Sequence, residues 1–91
     1  MWIRTQNRKQ LINIDKYGKK FSVKEFYVED NFPHSEDDET NASICIDGMW
    51  LGTYSTLDRA IRELDSIESA ISSMTMIYQV TKEIKGDEHY G

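Results

Sequence analysis

The feature that most constrains the fold is the dipeptide Asp47-Gly48, which separates two apolar runs. Asp-Gly favours a type I′ turn, because that turn needs positive φ at both of its central residues. The turn predicts an antiparallel hairpin with four apolar residues on one side, in the opposed pairs Ile46 with Met49 and Ile44 with Leu51. This apolar side requires a second layer of structure to cover it.

An amphipathic segment follows the hairpin and can supply that layer. Ser55 and Thr56 are both good N-cap residues, and Asp58 suits the first turn of a helix. Apolar residues then recur at spacings of three and four, at Leu57, Ala60, Ile61, Leu64, Ile67, Ile71 and Met74. The spacing predicts one long helix whose apolar stripe packs on the hairpin.

Alternating apolar residues predict strands over residues 1–5, 11–14 and 20–28. The alternation slips near Glu25, which favours a β-bulge or a strand with apolar groups on both sides. Residues 75–80 are β-branched and aromatic, so we expect a last strand there, with a C-terminal turn of helix as the alternative. The predicted fold is α+β: an antiparallel sheet of about five or six strands, open or curled to a half-barrel, with one long amphipathic helix packed on one face.

Length and composition predict one domain over residues 1–85, with a mobile acidic loop near 29–41 and a frayed tail at 86–91. No apolar run is long enough to span a membrane, and the N-terminus lacks the apolar core of a signal peptide. With one cysteine, Cys45, no internal disulfide can form. We therefore expect a cytoplasmic protein with no membrane association.

Charge is distributed unevenly along the chain. Residues 1–24 sum to +6 and residues 25–55 to −8, within a net charge of −5. The two regions either neutralise each other across the fold or form a surface that docks a partner. On the second interpretation, the partner-binding candidates are Glu36, Asp37, Asp38 and Glu39, in a phage-type inhibitor that occupies a basic or nucleic-acid-binding groove of a host protein.

The basic N-terminal region raises a different hypothesis, the binding of single-stranded nucleic acid. Its candidate phosphate ligands are Arg4, Arg8, Lys9, Lys16, Lys19, Lys20 and Lys24, and its candidate stacking groups are Trp2, Tyr17 and Phe21. The acidic net charge argues against nucleic acid as the main partner.

Residues that carry chemistry are sparse in this sequence. His34 and His89 are isolated, and Cys45 falls in a predicted strand without a basic neighbour. The glycines match neither a P-loop nor a dinucleotide-binding spacing. We therefore predict that the protein is not an enzyme and has no catalytic residue, no metal and no cofactor.

The second side of the hairpin carries Cys45, Trp50 and Tyr54, by alternation. If this side is exposed, Trp50 and Tyr54 form an aromatic binding surface for a protein partner or for a second copy in a homodimer. If the sheet curls, one of the two joins the core instead. The first hypothesis for function is accordingly a non-enzymatic, small protein-interaction module.

Several stretches of the sequence resemble a known group of proteins. They are Met1-Trp2-Ile3-Arg4-Thr5-Gln6, Leu11-Ile12, and residues 51–56 leading into Arg59-Ala60 and Leu64. They resemble short uncharacterised proteins of Firmicutes bacteria and their prophages that begin Met-Trp-Ile-Arg. In that group a β-rich middle and a Gly-x-Tyr-x-Thr step into one helix recur. The resemblance implies a bacterial or prophage cytoplasmic origin and no particular site residues.

Overall fold

The structure, a computed structural model, describes residues 1–16, 20–29, 33 and 38–83. The described residues form six strands and one α-helix: β1 (Trp2–Arg4), β2 (Leu11–Asn13), β3 (Phe21–Tyr27), β4 (Thr40–Ile46), β5 (Met49–Tyr54), α1 (Leu57–Ser72) and β6 (Ile77–Gln79). A short 3-10 turn, Ile14–Lys16, follows β2. The α+β class is therefore confirmed. The predicted tail at 86–91 and most of the predicted loop at 29–41 lie outside the described residues.

The strands form two three-stranded sheets, so the prediction of a single sheet of five or six strands is wrong. The first sheet has the order β2-β1-β6, with β1 antiparallel to β2 and parallel to β6. The second sheet has the order β3-β4-β5 and is antiparallel throughout. The sheets stay separate because both edges of β1 are already paired, one with β2 and the other with β6, so that β1 cannot pair with β5.

Gln6 joins the two sheets. Its backbone nitrogen donates to the carbonyl of Leu51 at 2.8 Å. Its side-chain amide donates to the carbonyl of Thr53 at 3.1 Å and accepts from the Thr53 nitrogen at 2.9 Å, as a neighbouring strand would. Gly52 permits this approach, since a Cβ there would lie 3.0 Å from Val80 Cγ1 and 3.2 Å from Gln6 Cβ.

The hairpin turn is confirmed, with φ of 49° at Asp47 and 85° at Gly48, and Ile46 pairs with Met49 as expected. The pairing of Ile44 with Leu51 is wrong. A bulge in β5 shifts the register, so that Ile44 lies opposite Gly52. The bulge predicted near residue 25 is absent from the described strands, because β3 and β4 pair without a break from Phe21 to Tyr27.

The described residues form one core, which lies between α1 and the inner faces of both sheets. Its buried residues are Ile3, Ile12, Ile14, Ala42, Ile44, Ile46, Leu51, Tyr54, Ala60, Ile67 and Val80. Helix α1 packs against β3, β4 and β5, and Thr56 is its N-cap, accepting from the Arg59 nitrogen. This places the helix layer over the hairpin, as predicted.

The helix nevertheless buries only part of the predicted stripe, Ala60 and Ile67, with Leu64 half-buried. Its buried residues are Ala60, Glu63, Ile67 and Ala70. Four residues of the predicted stripe are exposed, at 39% for Leu57, 42% for Ile61, 38% for Ile71 and 86% for Met74. The small side chains of the two alanines allow α1 to lie close to the sheet on that side, and the opposite apolar flank is turned outwards. Met74 lies beyond the helix, with a φ of 58°.

Candidate functional site

The bulge in β5 places Trp50 and Tyr54 on opposite faces of the second sheet. Trp50 is half-buried on the outer face, where its Nε1 donates to Thr53 Oγ1 at 2.8 Å. Tyr54 is only 4% exposed and belongs to the core. The structure therefore does not form the predicted Trp50–Tyr54 surface, because one extra residue in a strand reverses the side-chain alternation beyond it.

A buried polar cluster centred on Glu63 lies on one flank of α1. Glu63 is 6% exposed, and its carboxylate accepts from the hydroxyl of Tyr78 at 2.7 Å. It also accepts from the nitrogen of Thr81 at 3.0 Å and from the Thr81 hydroxyl at 2.5 Å. The Tyr54 hydroxyl donates to the carbonyl of Thr81. The cluster thus ties the segment after β6 to the helix.

Both tyrosines of this cluster have perturbed acidities. Burial raises the pKa of Tyr54 well above its ordinary value of about 10, and the charge of Glu63 raises it further. Burial also raises the pKa of Tyr78, helped by the hydrogen bond that its hydroxyl donates to Glu63. Both phenols are therefore held in the neutral, donating form, which suits a structural role better than a role as a general base.

Glu83 closes the N-terminal end of the same flank. Its carboxylate accepts from the nitrogen and the hydroxyl of Ser55, just before the helix. It also pairs with the guanidinium of Arg59 at 3.3 Å. A carboxylate at this position interacts favourably with the positive end of the helix dipole. This flank of α1 is covered by the chain's own C-terminal segment.

The other flank of α1 faces β3 and is open. We call the exposed or half-buried residues Leu57, Ile61, Leu64 and Ile71 the open flank. Their spacing of four, three and seven residues aligns them along one side of the helix. A groove runs between this flank and β3, with a floor of Phe21, Leu64, Ile67 and Ile71.

The groove has an acidic rim. Asp65 and Glu68 of α1 line it. Glu25 is exposed on β3 and shares a strand face with Phe21, since it lies opposite the buried Ala42. Lys24 lies on the opposite face of β3 by the same alternation. An apolar floor with an acidic rim is the candidate site that the described residues define best.

The residues named for the charge hypotheses are only partly placed. Glu36 and Asp37 lie outside the described residues, as do Tyr17 and Lys19, whereas Asp38 and Glu39 are exposed next to β4. Trp2 is exposed on the outer face of the first sheet, but Phe21 packs against the core. The two described aromatic candidates therefore do not share one exposed surface.

Neither a metal nor a membrane site is evident in the described part of the chain. Residues 1–16, 20–29, 33 and 38–83 contain no group of three or more His, Cys, Asp or Glu side chains that could hold a metal ion. No helix within those residues is long and apolar enough to cross a membrane. Comparisons with protein-family models, with curated proteins and with solved structures gave no match.

Sequence reasoning missed Gln6, Glu63, Thr81 and Glu83. Glu63 carried one available signal, because it lies at i+3 from Ala60 and i−4 from Ile67, on the stripe that packs inwards. The remaining three had no signal in local periodicity, since their partners are distant along the chain.

Proposed function

We propose that the protein is a protein-interaction module that binds its partner through the open flank of α1 and the groove beside β3. The observation that carries the proposal is the contrast between the two flanks of one helix. One flank is bound to residues after β6 by the hydrogen bonds of Glu63 to Thr81 and by the ion pair of Arg59 with Glu83. On the other flank, Leu57, Ile61 and Ile71 are each about two fifths exposed. A row of exposed aliphatic side chains along a helix is typical of a partner-binding surface.

This location replaces the surface predicted from the sequence. Tyr54 is a core residue, and Trp50 is half-buried with its indole nitrogen satisfied within the sheet. The open flank instead offers several aliphatic side chains, each of which contributes up to about 1.5–3 kcal/mol when fully buried. A partner that covers the flank gains part of that free energy.

A selection from a random peptide display library tests the proposal without knowledge of the natural partner. The wild-type protein is the bait, and enriched clones are then measured against the double variant Ile61→Asn/Ile71→Asn. We expect the double variant to weaken binding by at least about tenfold, which is about 1.4 kcal/mol.

The matched control is Ser69→Asn, which adds the same side chain at an exposed position of the same helix. Clones should bind this control as they bind wild type, and thermal unfolding should show that all variants remain folded. A selection that enriches no clone, or clones that bind the double variant undiminished, would reject the proposed function.

The hypothesis of an acidic inhibitor remains a second prediction, located in a different part of the chain. Neutralising Glu36, Asp37, Asp38 and Glu39 should abolish binding if that loop docks the partner, and should leave it intact if the open flank does. The same variants therefore separate the two modes of binding. The prophage origin implied by the resemblance likewise stays a prediction.

A further inference from the structure

Strand β3 is the edge of the second sheet that lies beside the groove. It contains seven residues, and β4 is the only strand that pairs with it among the described residues. Edge strands present backbone groups that can pair with another chain, and proteins commonly block them with proline or very short strands. β3 has neither device, but it does carry charge, with Lys24 on the outer face and Glu25 on the face toward α1. An added strand must therefore place a cationic side chain rather than an apolar one beside Glu25.

A strand added beside β3 would lie under the open flank. Helix α1 packs on the face of the second sheet that contains Phe21 and Val23. Alternate side chains of an added strand point to that same face. They would meet Leu64 and Ile71, which the present fold leaves partly uncovered. The sheet edge and the helix flank therefore form one continuous site for an extended segment.

Charge decides which extended segment fits. Asp65 and Glu68 line the groove with negative charge, and Glu25 lies on the same face of β3 as Phe21. A second copy of this chain would bring the same three carboxylates to the same rim, and like charges placed opposite each other are destabilising. A segment that carries Lys or Arg beside its apolar residues gains instead from opposite charge.

We infer that the groove binds an extended segment of a partner protein, added as a strand to the β3 edge, whose groove-facing side chains are aliphatic and flanked by Lys or Arg. This inference rests on the proposed function and specifies its partner. Main-chain hydrogen bonds to β3 hold the segment, the open flank selects aliphatic side chains, and the acidic rim selects cationic ends.

The probe is the blocked peptide Arg-Thr-Val-Thr-Ile-Thr-Val-Thr-Arg, whose sequence is the same in both directions. It presents the Arg, Val and Ile side chains on one face, whether it pairs parallel or antiparallel to β3. We expect saturable binding by calorimetry that weakens at least about tenfold when salt rises from about 0.1 M to about 1 M. The matched peptide with Glu in place of both Arg should bind at least about tenfold more weakly.

N-methylated versions of the peptide test strand addition directly. One version carries methyl groups on alternate residues of one edge, and another carries them on the opposite edge. Backbone N–H groups of a strand point alternately to its two edges, so a strand bound along β3 uses only one set. Parallel and antiparallel pairing use opposite edges of this peptide, so each version still binds in one direction, whereas a version methylated on both edges should lose at least about tenfold in affinity. A version methylated on both edges that binds like the parent would overturn the inference.

Charge reversal in the protein tests the rim. Glu68→Lys should weaken the Arg peptide and strengthen the Glu peptide, while Ser66→Lys, on the opposite flank of α1, should change neither by more than about twofold. An unchanged preference in Glu68→Lys would remove the electrostatic part of the inference. A dimer in light scattering that Ile61→Asn dissociates would make a second copy the occupant and also overturn it.

These outcomes are separable from failure of the proposed function. If library clones bind at the open flank but are acidic, or if the peptide methylated on both edges binds like the parent, the protein is still an interaction module and the inferred partner class is wrong. If clones bind elsewhere or not at all, both statements fail together.

Discussion

Replacing Glu63 with alanine should unfold the protein at a much lower temperature, although the residue is charged and lies on a helix surrounded by other charged residues. The carboxylate accepts hydrogen bonds at 2.7 Å, 3.0 Å and 2.5 Å from two residues. A hydrogen bond to a charged group contributes about 1.5–3 kcal/mol. Because Thr81 is exposed and water can replace its bonds, we expect a total loss of about 2–4 kcal/mol.

Urea denaturation followed by circular dichroism measures this loss as a lower midpoint at unchanged slope. In a domain of this size the melting temperature should fall by about 4–8 °C per kcal/mol. Glu63→Gln should cost less, about 1 kcal/mol. Its amide oxygen can keep the two bonds made to Oε2, and its NH₂ group can donate to the Thr81 hydroxyl.

The control is Glu68→Ala, which removes an exposed glutamate from the same helix. It should change stability by no more than about 0.5 kcal/mol. If Glu63→Ala matches Glu68→Ala, the buried cluster does not stabilise the fold and the reasoning from its hydrogen bonds is refuted.

Three further predictions concern the core and its ionisation. Because the pKa values of Tyr54 and Tyr78 are raised in the folded state, stability should be intact below pH of about 10 and fall above it. A titration of tyrosinate absorbance should show two tyrosines that ionise at higher pH than the others, and Tyr54→Phe and Tyr78→Phe should each remove one of them. Gly52→Ala should destabilise by about 1–3 kcal/mol in urea, since its Cβ would meet atoms at 3.0 Å, and a neutral result would mean that the sheets can move apart. Ile67→Ala should cost about 2–5 kcal/mol in chemical denaturation and Ile61→Ala less than about 1, and the reverse order would show that α1 turns Ile61 rather than Ile67 toward the sheets.

Local chemistry was enough to predict the elements of this fold. The turn is observed at Asp47-Gly48 as predicted, and the N-cap is Thr56, one of the two residues that the sequence offered. Each depends on the conformational preferences of one or two residues and on hydrogen bonds within a few positions. The strand within residues 75–80 was also predicted, from its β-branched and aromatic composition.

The candidate site could not be predicted in the same way. The bulge in β5 moved Tyr54 into the core, and no local pattern distinguishes an alternating strand from one with an extra residue. The orientation of α1 about its own axis leaves Ile61 and Ile71 exposed and Ile67 buried. All three belong to one broad apolar stripe in the sequence. A stripe that wide offers more than one face to a sheet, so its sequence does not choose between them.

The sequence by itself therefore determined the α+β class, the hairpin and the helix, because those follow from φ preferences, caps and periodicity. Only the tertiary structure decided that the strands divide into two sheets joined by Gln6, and that Glu63 holds the returning chain. These contacts join residues far apart in sequence, and their free energy depends on distances that the fold alone sets. The open flank of α1 has the same origin, since residues 78–83 pack on the opposite flank of the helix.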